Sequence, residues 1–187
     1  DDFISIFKSI GEINGICFTH RYRKKEEKRF ADEANVMIEP IAQCMEALIQ
    51  YQSNKEINYN FFTRVIITGS SYSSRVGFDQ DWMYHASKAA QLSLVRYFSI
   101  RSNGKYSINL LSPATYMKDG SYDYWKEHKK FKNWRNFPTQ GLLSAKEVAL
   151  SIIDFLEKNS PFISGNEIMI DGGLFNLYPD QVPDILE

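Results

Sequence analysis

The sequence predicts an α/β fold built on a parallel sheet, and two observations carry that prediction. Helix-like and strand-like segments alternate along the chain, and the strand-like ones are short apolar runs that end in small polar residues. Residues 2–9 read as the end of a helix, 13–18 as a strand, 26–52 as a long helix, 64–69 as a strand and 82–103 as a helix. A strand over 107–112, a helix over 144–158 and a last strand over 167–171 follow. Such an order returns each strand parallel to its predecessor through a helical crossover.

Each element has a local reason. Val65-Ile66-Ile67 is β-branched and suits a strand buried on both faces, whereas Ala86, Ala89 and Ala90 give the following segment helix propensity. Pro40 has no N–H to donate to the Val36 carbonyl, so the helix over 26–52 is expected to open there, beside Asn35, and to admit a water. Ser144-Ala145-Lys146-Glu147 is a capping box that starts the last helix. Ser53 to Asn60 reads as a polar surface loop, and the tail beyond Leu174 as a cover for a neighbour or a disordered end.

With 187 residues, 43% of them hydrophobic, the chain can bury one core, so residues 1–187 read as a single domain. A formal net charge of -1 gives no global field toward nucleic acid or a membrane, and no nucleic-acid module is visible. Cys17 and Cys44 are neither a disulfide framework nor a metal-ligand spacing, which points to a reducing cytoplasm. His85 and His128 stand beside no second ligand, so no metal is assigned. No targeting signal appears, and the apolar runs are too short to span a bilayer.

The chemistry concentrates between Ser71 and Lys88. Ser71 follows the apolar run Val65-Ile66-Ile67 and so stands at a strand's carboxyl end, thirteen residues ahead of Tyr84. Tyr84 and Lys88 are four apart on a helix and share a face. A tyrosine, with a reference pKa of about 10, is a poor acid near neutrality, and a fixed cation beside it favours the phenolate. Tyr84 is therefore read as an acid/base and Lys88 as its tuner. Tyr51 with Lys55 and Tyr122 with Lys126 have the same spacing, but Ile38 and Asn109 stand thirteen residues before them, without the strand and paired serines. The alternative for Tyr84 and Lys88 is an aromatic on a buried helix face beside a solvated lysine.

With these residues in place the chain resembles the short-chain dehydrogenase/reductase family, from about Ile13 to Gly173. Beyond Ser71 and Tyr84-x-x-x-Lys88, Asn35 lies in the long helix, Asn109-Leu-Leu-Ser-Pro113 follows the family's Asn-x-x-x-Pro-Gly, and Gly165 to Asp171-Gly172-Gly173 closes the pattern. The resemblance implies a Rossmann-like doubly wound parallel sheet and an enzyme moving a hydride between NAD or NADP and a carbonyl/alcohol carbon. Ser71 would polarise the substrate carbonyl, Tyr84 would transfer the proton, and Asn35 would anchor a water in the proton relay. Lys88 would also hold the nicotinamide ribose, with Tyr84, Pro113 and Thr115 as further cofactor contacts. The resemblance further implies a homodimer or homotetramer and places a substrate lid over residues 116–143. There Tyr116, Tyr122, Tyr124 and Trp125 lead a stretch of aromatics interleaved with lysines, a pattern that also suits an amphipathic helix with solvated lysines.

The chain also departs from the family. Gly11 and Gly15 are the only glycines before Gly69, so the family's Gly-x-x-x-Gly-x-Gly turn for the cofactor pyrophosphate is not in this sequence. The pattern thus covers strands four to seven, with the N-terminal dinucleotide-binding half lacking. The expectation is that a segment outside these residues, or a partner chain, pairs with the strand at 13–18, and that these residues alone bind either cofactor weakly. Where the family has Asn-Asn-Ala-Gly, the chain has Phe18-Thr19-His20-Arg21, which crowds the adenosine's approach or offers it a cation. The run from His20 to Lys25 reads either as an anion contact or, with Glu26 and Glu27 offsetting it, as a solvated loop. A degenerate scaffold or subunit that no longer binds cofactor is the competing expectation.

Overall fold

The structure, a computed structural model, describes residues 2–23, 29–57, 62–77, 80–118, 120, 123 and 143–173. The elements, in chain order, are α1 (Asp2–Ile10), β1 (Gly15–Phe18), α2 (Phe30–Met37), α3 (Glu39–Gln52), β2 (Thr63–Thr68) and a 3-10 turn (Ser71–Ser73). There follow α4 (Trp82–Ile100), β3 (Tyr106–Pro113), β4 (Tyr116–Met117), β5 (Leu143–Ser144), α5 (Ala145–Lys158) and β6 (Glu167–Ile170).

Four strands form one parallel sheet in the order β1-β2-β3-β6. Thr63 is level with Tyr106 and Thr68 with Leu111, so β2 and β3 end at one rim. Both faces of the sheet are covered, which is why β2 and β3 read as continuous apolar runs. Ile41, Met45 and Leu48 of α3 and Leu92, Val95 and Phe98 of α4 pack with Val65, Ile67, Ile108 and Leu110 on one side. Val148 and Ile152 of α5 pack with Ile66 and Leu111 on the other. These stripes, which repeat at helical spacing, are core: Met37, Ile41, Met45, Leu48 and Val95 have no exposed surface.

The expected long helix is two helices. Ile38 leaves the helical track at φ -118 and ψ -54, its N–H still reaching the Ala34 carbonyl at 2.9 Å, and Pro40 opens the first turn of α3. A proline in the first turn needs no N–H partner, so the chain restarts as a helix where it cannot continue one. The capping box forms as the sequence requires: Ser144 N–H donates to Glu147 Oε2 at 2.6 Å and Glu147 N–H to Ser144 Oγ at 3.2 Å.

Asn109, buried in β3, clamps the loop before β6, donating to the Ile163 carbonyl at 2.7 Å and accepting from Asn166 N–H at 3.1 Å. The outer edge of β1 has no partner strand among the described residues. Among them, no helix is long and apolar enough to cross a membrane, and no group of side chains has the composition to hold a metal ion.

Candidate active site

The site lies at the rim where β2 and β3 end. Gly69 permits the turn there, because a Cβ at that position would stand 2.6 Å from Leu110 and from Ser112 Oγ. The chain then caps a 3-10 turn: Ser70 Oγ accepts from Tyr72 N–H at 3.3 Å and Ser73 Oγ accepts from Ser70 N–H at 3.3 Å. Ser71, the first residue of that turn, is buried, and the turn packs on α4.

α4 begins where Asp81 Oδ1 accepts the Tyr84 N–H at 3.0 Å, a side-chain cap that fixes the first turn and Tyr84 with it. His85 ties the preceding loop down through a 2.9 Å hydrogen bond between Nε2 and the Gly77 carbonyl. The Tyr84 ring is half-buried, edge-on to Tyr72, and among the described residues its hydroxyl has no hydrogen-bond partner.

Lys88 is 3% exposed, an unusual place for an ammonium. Its Nζ donates to the Thr68 carbonyl and to Gln91 Oε1, each at 3.0 Å, and lies 5.9 Å from the centre of the Tyr84 ring. Burial pushes the Lys88 ammonium down to about 8, the Arg21 charge adds to the fall, and the Glu33 carboxylate opposes it. Glu33 is itself buried on α2.

The loop after β1 closes over this cluster. The Arg21 guanidinium stands 5.1 Å from the centre of the Tyr84 ring, so two cations approach one phenol. Burial holds the His20 imidazole below its ordinary value, the Met37 carbonyl works against that, and the Lys88 charge works with it.

Ser71 follows β2's end, and Tyr84 and Lys88 lie in the first turns of α4, Lys88 reaching the last residue of β2. Asn35 is exposed on α2. The backbone group that faces α4 at the helix break is the Met37 carbonyl, which accepts from Gln91 Nε2 at 2.9 Å. Pro113 is the last residue of β3 and is buried, and Thr115 is exposed two residues on. Tyr116 opens β4, which pairs in parallel with β5 and so joins the two ends of the expected lid. Tyr122, Tyr124, Trp125 and the rest of the lid's aromatic and lysine-rich stretch lie outside the described residues, as does the tail beyond Leu174.

Gln91 and the stacking of Arg21 were not foreseen. Gln91 did carry a signal: it lies three residues after Lys88 on the same helix face, and a polar residue beside Leu92 and Val95 in a buried stripe calls for partners.

Residues 6–175 match the family model described as enoyl-(acyl carrier protein) reductase. No curated protein matches the chain in sequence. Among solved structures, ElxO with NADP bound is 19% identical with a TM-score of 0.72, over 92% of this chain and 71% of that one. A gluconate 5-dehydrogenase from Burkholderia cenocepacia, in complex with NADP and tartrate, is 16% identical with a TM-score of 0.73, over 94% and 70%. The ligand-free aldohexose dehydrogenase of Thermoplasma acidophilum is 18% identical with a TM-score of 0.70, over 95% and 74%. At these identities the likeness speaks for the fold.

Proposed function

Because the chain belongs to the short-chain dehydrogenase/reductase family of oxidoreductases, we propose that it interconverts a carbonyl and an alcohol, with Tyr84 as acid/base. The observation that carries this reading is the buried Lys88 ammonium, fixed by two neutral oxygens beside the Tyr84 ring at the carboxyl rim of the sheet. Open α/β sheets bind ligands at that rim.

The residues present fit the nicotinamide end of a dinucleotide, the cofactor class that the ElxO and gluconate 5-dehydrogenase structures hold. An ammonium has three N–H donors, and with Thr68 and Gln91 taking two, Lys88 keeps one for a ribose hydroxyl. Pro113 and Thr115 flank the same rim. When bound, the cofactor supplies or removes the hydride at the reacting carbon. In the reductive direction, Ser71 donates a hydrogen bond to the carbonyl oxygen, and Tyr84 gives that oxygen its phenolic proton as the carbon accepts the hydride. Carbonyl becomes alcohol, and the phenolate left on Tyr84 is stabilised by Lys88 until a solvent proton restores it. Asn35 enters this proposal as the holder of a relay water on the solvent side. Residues 116–143, with Tyr116, Tyr122, Tyr124 and Trp125, serve as the substrate lid.

Two assembly features belong to the same proposal. Phe30 and Trp82, with ring centres 5.6 Å apart and both exposed, give a second copy of the chain an aromatic surface to pack on. The outer edge of β1, with backbone groups that an edge strand leaves unpaired, takes a strand from outside the described residues.

One observation favours the scaffold reading: Arg21 covers the Tyr84 ring where the family has glycine. Steady-state oxidation of NADH and NADPH with a panel of ketones and aldehydes, beside calorimetric titration of each cofactor, decides between them. Turnover that Tyr84→Phe removes supports the enzyme. Absence of both turnover and cofactor uptake, unrelieved by Arg21→Gly, supports the scaffold.

A further inference from the structure

We infer that Gln91 is a positioning residue that sets the proton affinity of Lys88 and seals the helix break behind it. The inference rests on the proposed role of Lys88 but on separate geometry. Gln91 is 1% exposed, and both ends of its amide are engaged: Oε1 accepts from Lys88 Nζ at 3.0 Å and Nε2 donates to the Met37 carbonyl at 2.9 Å. The orientation of the amide is fixed by chemistry, because an ammonium can only donate and a carbonyl can only accept. Gln91 therefore does two things at once. It supplies one of the two oxygens that hold the charge of a buried lysine, and it satisfies a carbonyl that the Ile38 break has turned toward α4.

The second role has a mechanistic consequence. A carbonyl exposed at a helix break is where a water would enter, and a water there would give Lys88 a proton path through the α2/α3 side. An amide in that place is a hydrogen-bonding partner that neither takes nor releases a proton near neutrality. With the amide on the Met37 carbonyl, no water-borne proton path to Lys88 runs through that hydrogen bond. The charged and titratable groups that face the ammonium are Tyr84 on its own helix, Arg21 and His20 from the loop after β1, and Glu33 from α2. Gln91 stands outside that set, a neutral side chain hydrogen-bonded to the ammonium.

The test is a titration of the Lys88 side chain by carbon-13 NMR in lysine-labelled protein, with the signal assigned through Lys88→Met. Gln91→Leu removes an acceptor from a charged donor, and the Lys88 midpoint falls by about one pH unit. Gln91→Glu puts a carboxylate in the same place, and the midpoint rises by about as much. Should the leucine variant not fold, the glutamate variant carries the test alone. A midpoint that stays at the wild-type value in the folded variants overturns the inference. The readout needs no turnover, so a chain that reduces no carbonyl yet shows both shifts retains the inference and loses the oxidoreductase reading. In an active protein, the alkaline limb of the kcat/KM profile moves with the NMR midpoint, which a purely structural glutamine would not produce.

Discussion

Tyr51 with Lys55 and Tyr84 with Lys88 share one spacing and occupy two different physical worlds. Tyr51 is near the end of α3, and Lys55 falls past that end in a turn where its N–H reaches the Gln52 carbonyl at 3.1 Å. The Lys55 ammonium folds back over the Tyr51 ring at 3.7 Å from its centre, and the Tyr51 hydroxyl donates to the Gly11 carbonyl. Gly11, at φ +83, closes α1 in a conformation that brings that carbonyl within reach. In this pair the hydroxyl is used and the cation is exposed. In the other, both residues lie inside α4, the cation is buried on carbonyl and amide oxygens, and the hydroxyl has no partner among the described residues. Spacing places two side chains on one face; depth and the surrounding acceptors decide whether they fasten a helix or suit the acid/base role proposed for Tyr84.

The sharpest way to break that distinction is to remove the two hydroxyls separately. Tyr84→Phe is expected to lower turnover about 100-fold or more with cofactor binding nearly unchanged, since only the transferable proton is lost. Tyr51→Phe is expected to leave turnover unaltered. Steady-state rates and a cofactor titration on both variants check this, and equal losses would end the assignment of Tyr84.

Next in size is the pH dependence that a buried ammonium imposes. In the native chain Lys88 gives up its proton near pH 8, whereas in the unfolded chain it holds the proton up to the ordinary lysine value. Between those two the unfolded state binds more protons, so the contribution of Lys88 to stability becomes more favourable as pH rises through that window. Lys88→Met is expected to abolish that rise, a difference on the order of 3 kcal/mol across the window. Cys44 acts with the opposite sign, its thiol pushed up to about 11 by burial, so the quantity to compare is variant minus wild type in urea unfolding at successive pH values. The corresponding Lys55→Met change is expected to show no such dependence.

The same contrast marks how far the sequence could be read. β2, the start of α4, the capping box at Ser144 and the rim position of Ser71 follow from local pattern, because β-branched runs, caps and helical spacing are short-range physics. Pro40 foretold the helix break, yet the carbonyl engaged at the break is that of Met37, chosen by a side chain 54 positions away. Arg21 over the Tyr84 ring and the Glu33 charge felt by Lys88 are likewise tertiary juxtapositions of a loop and α2 with α4. The apolar stripe of Met37, Ile41, Met45 and Leu48 marks a buried helix face, but periodicity does not say what that face meets; here Ile41, Met45 and Leu48 meet the sheet.

A smaller effect tests the structural half of the comparison. Tyr51→Phe removes a hydrogen bond to the Gly11 carbonyl while leaving the ring packed on Phe7 at 5.8 Å between centres. The expected loss is about 1 kcal/mol, the net worth of one intramolecular hydrogen bond, independent of pH through the Lys88 window. A loss of unfolding free energy in urea of more than twice that amount would mean that the α1 to α3 contact depends on this tether far more than on its apolar packing.

The smallest expected change is at Lys55. Its ammonium lies close to the Tyr51 ring, but the side chain is exposed, so water competes for the charge and the lysine must give up rotamer freedom to stay over the ring. Lys55→Ala is therefore expected to cost about 0.5 kcal/mol, falling toward nothing at high salt as screening removes the electrostatic part. Thermal unfolding of wild type and variant at low and high salt measures it. A loss as large as that of Tyr51→Phe, and insensitive to salt, would show that the lysine's methylene stem rather than its charge covers the ring, and the two Tyr-x-x-x-Lys pairs would then differ even in the force that joins their members.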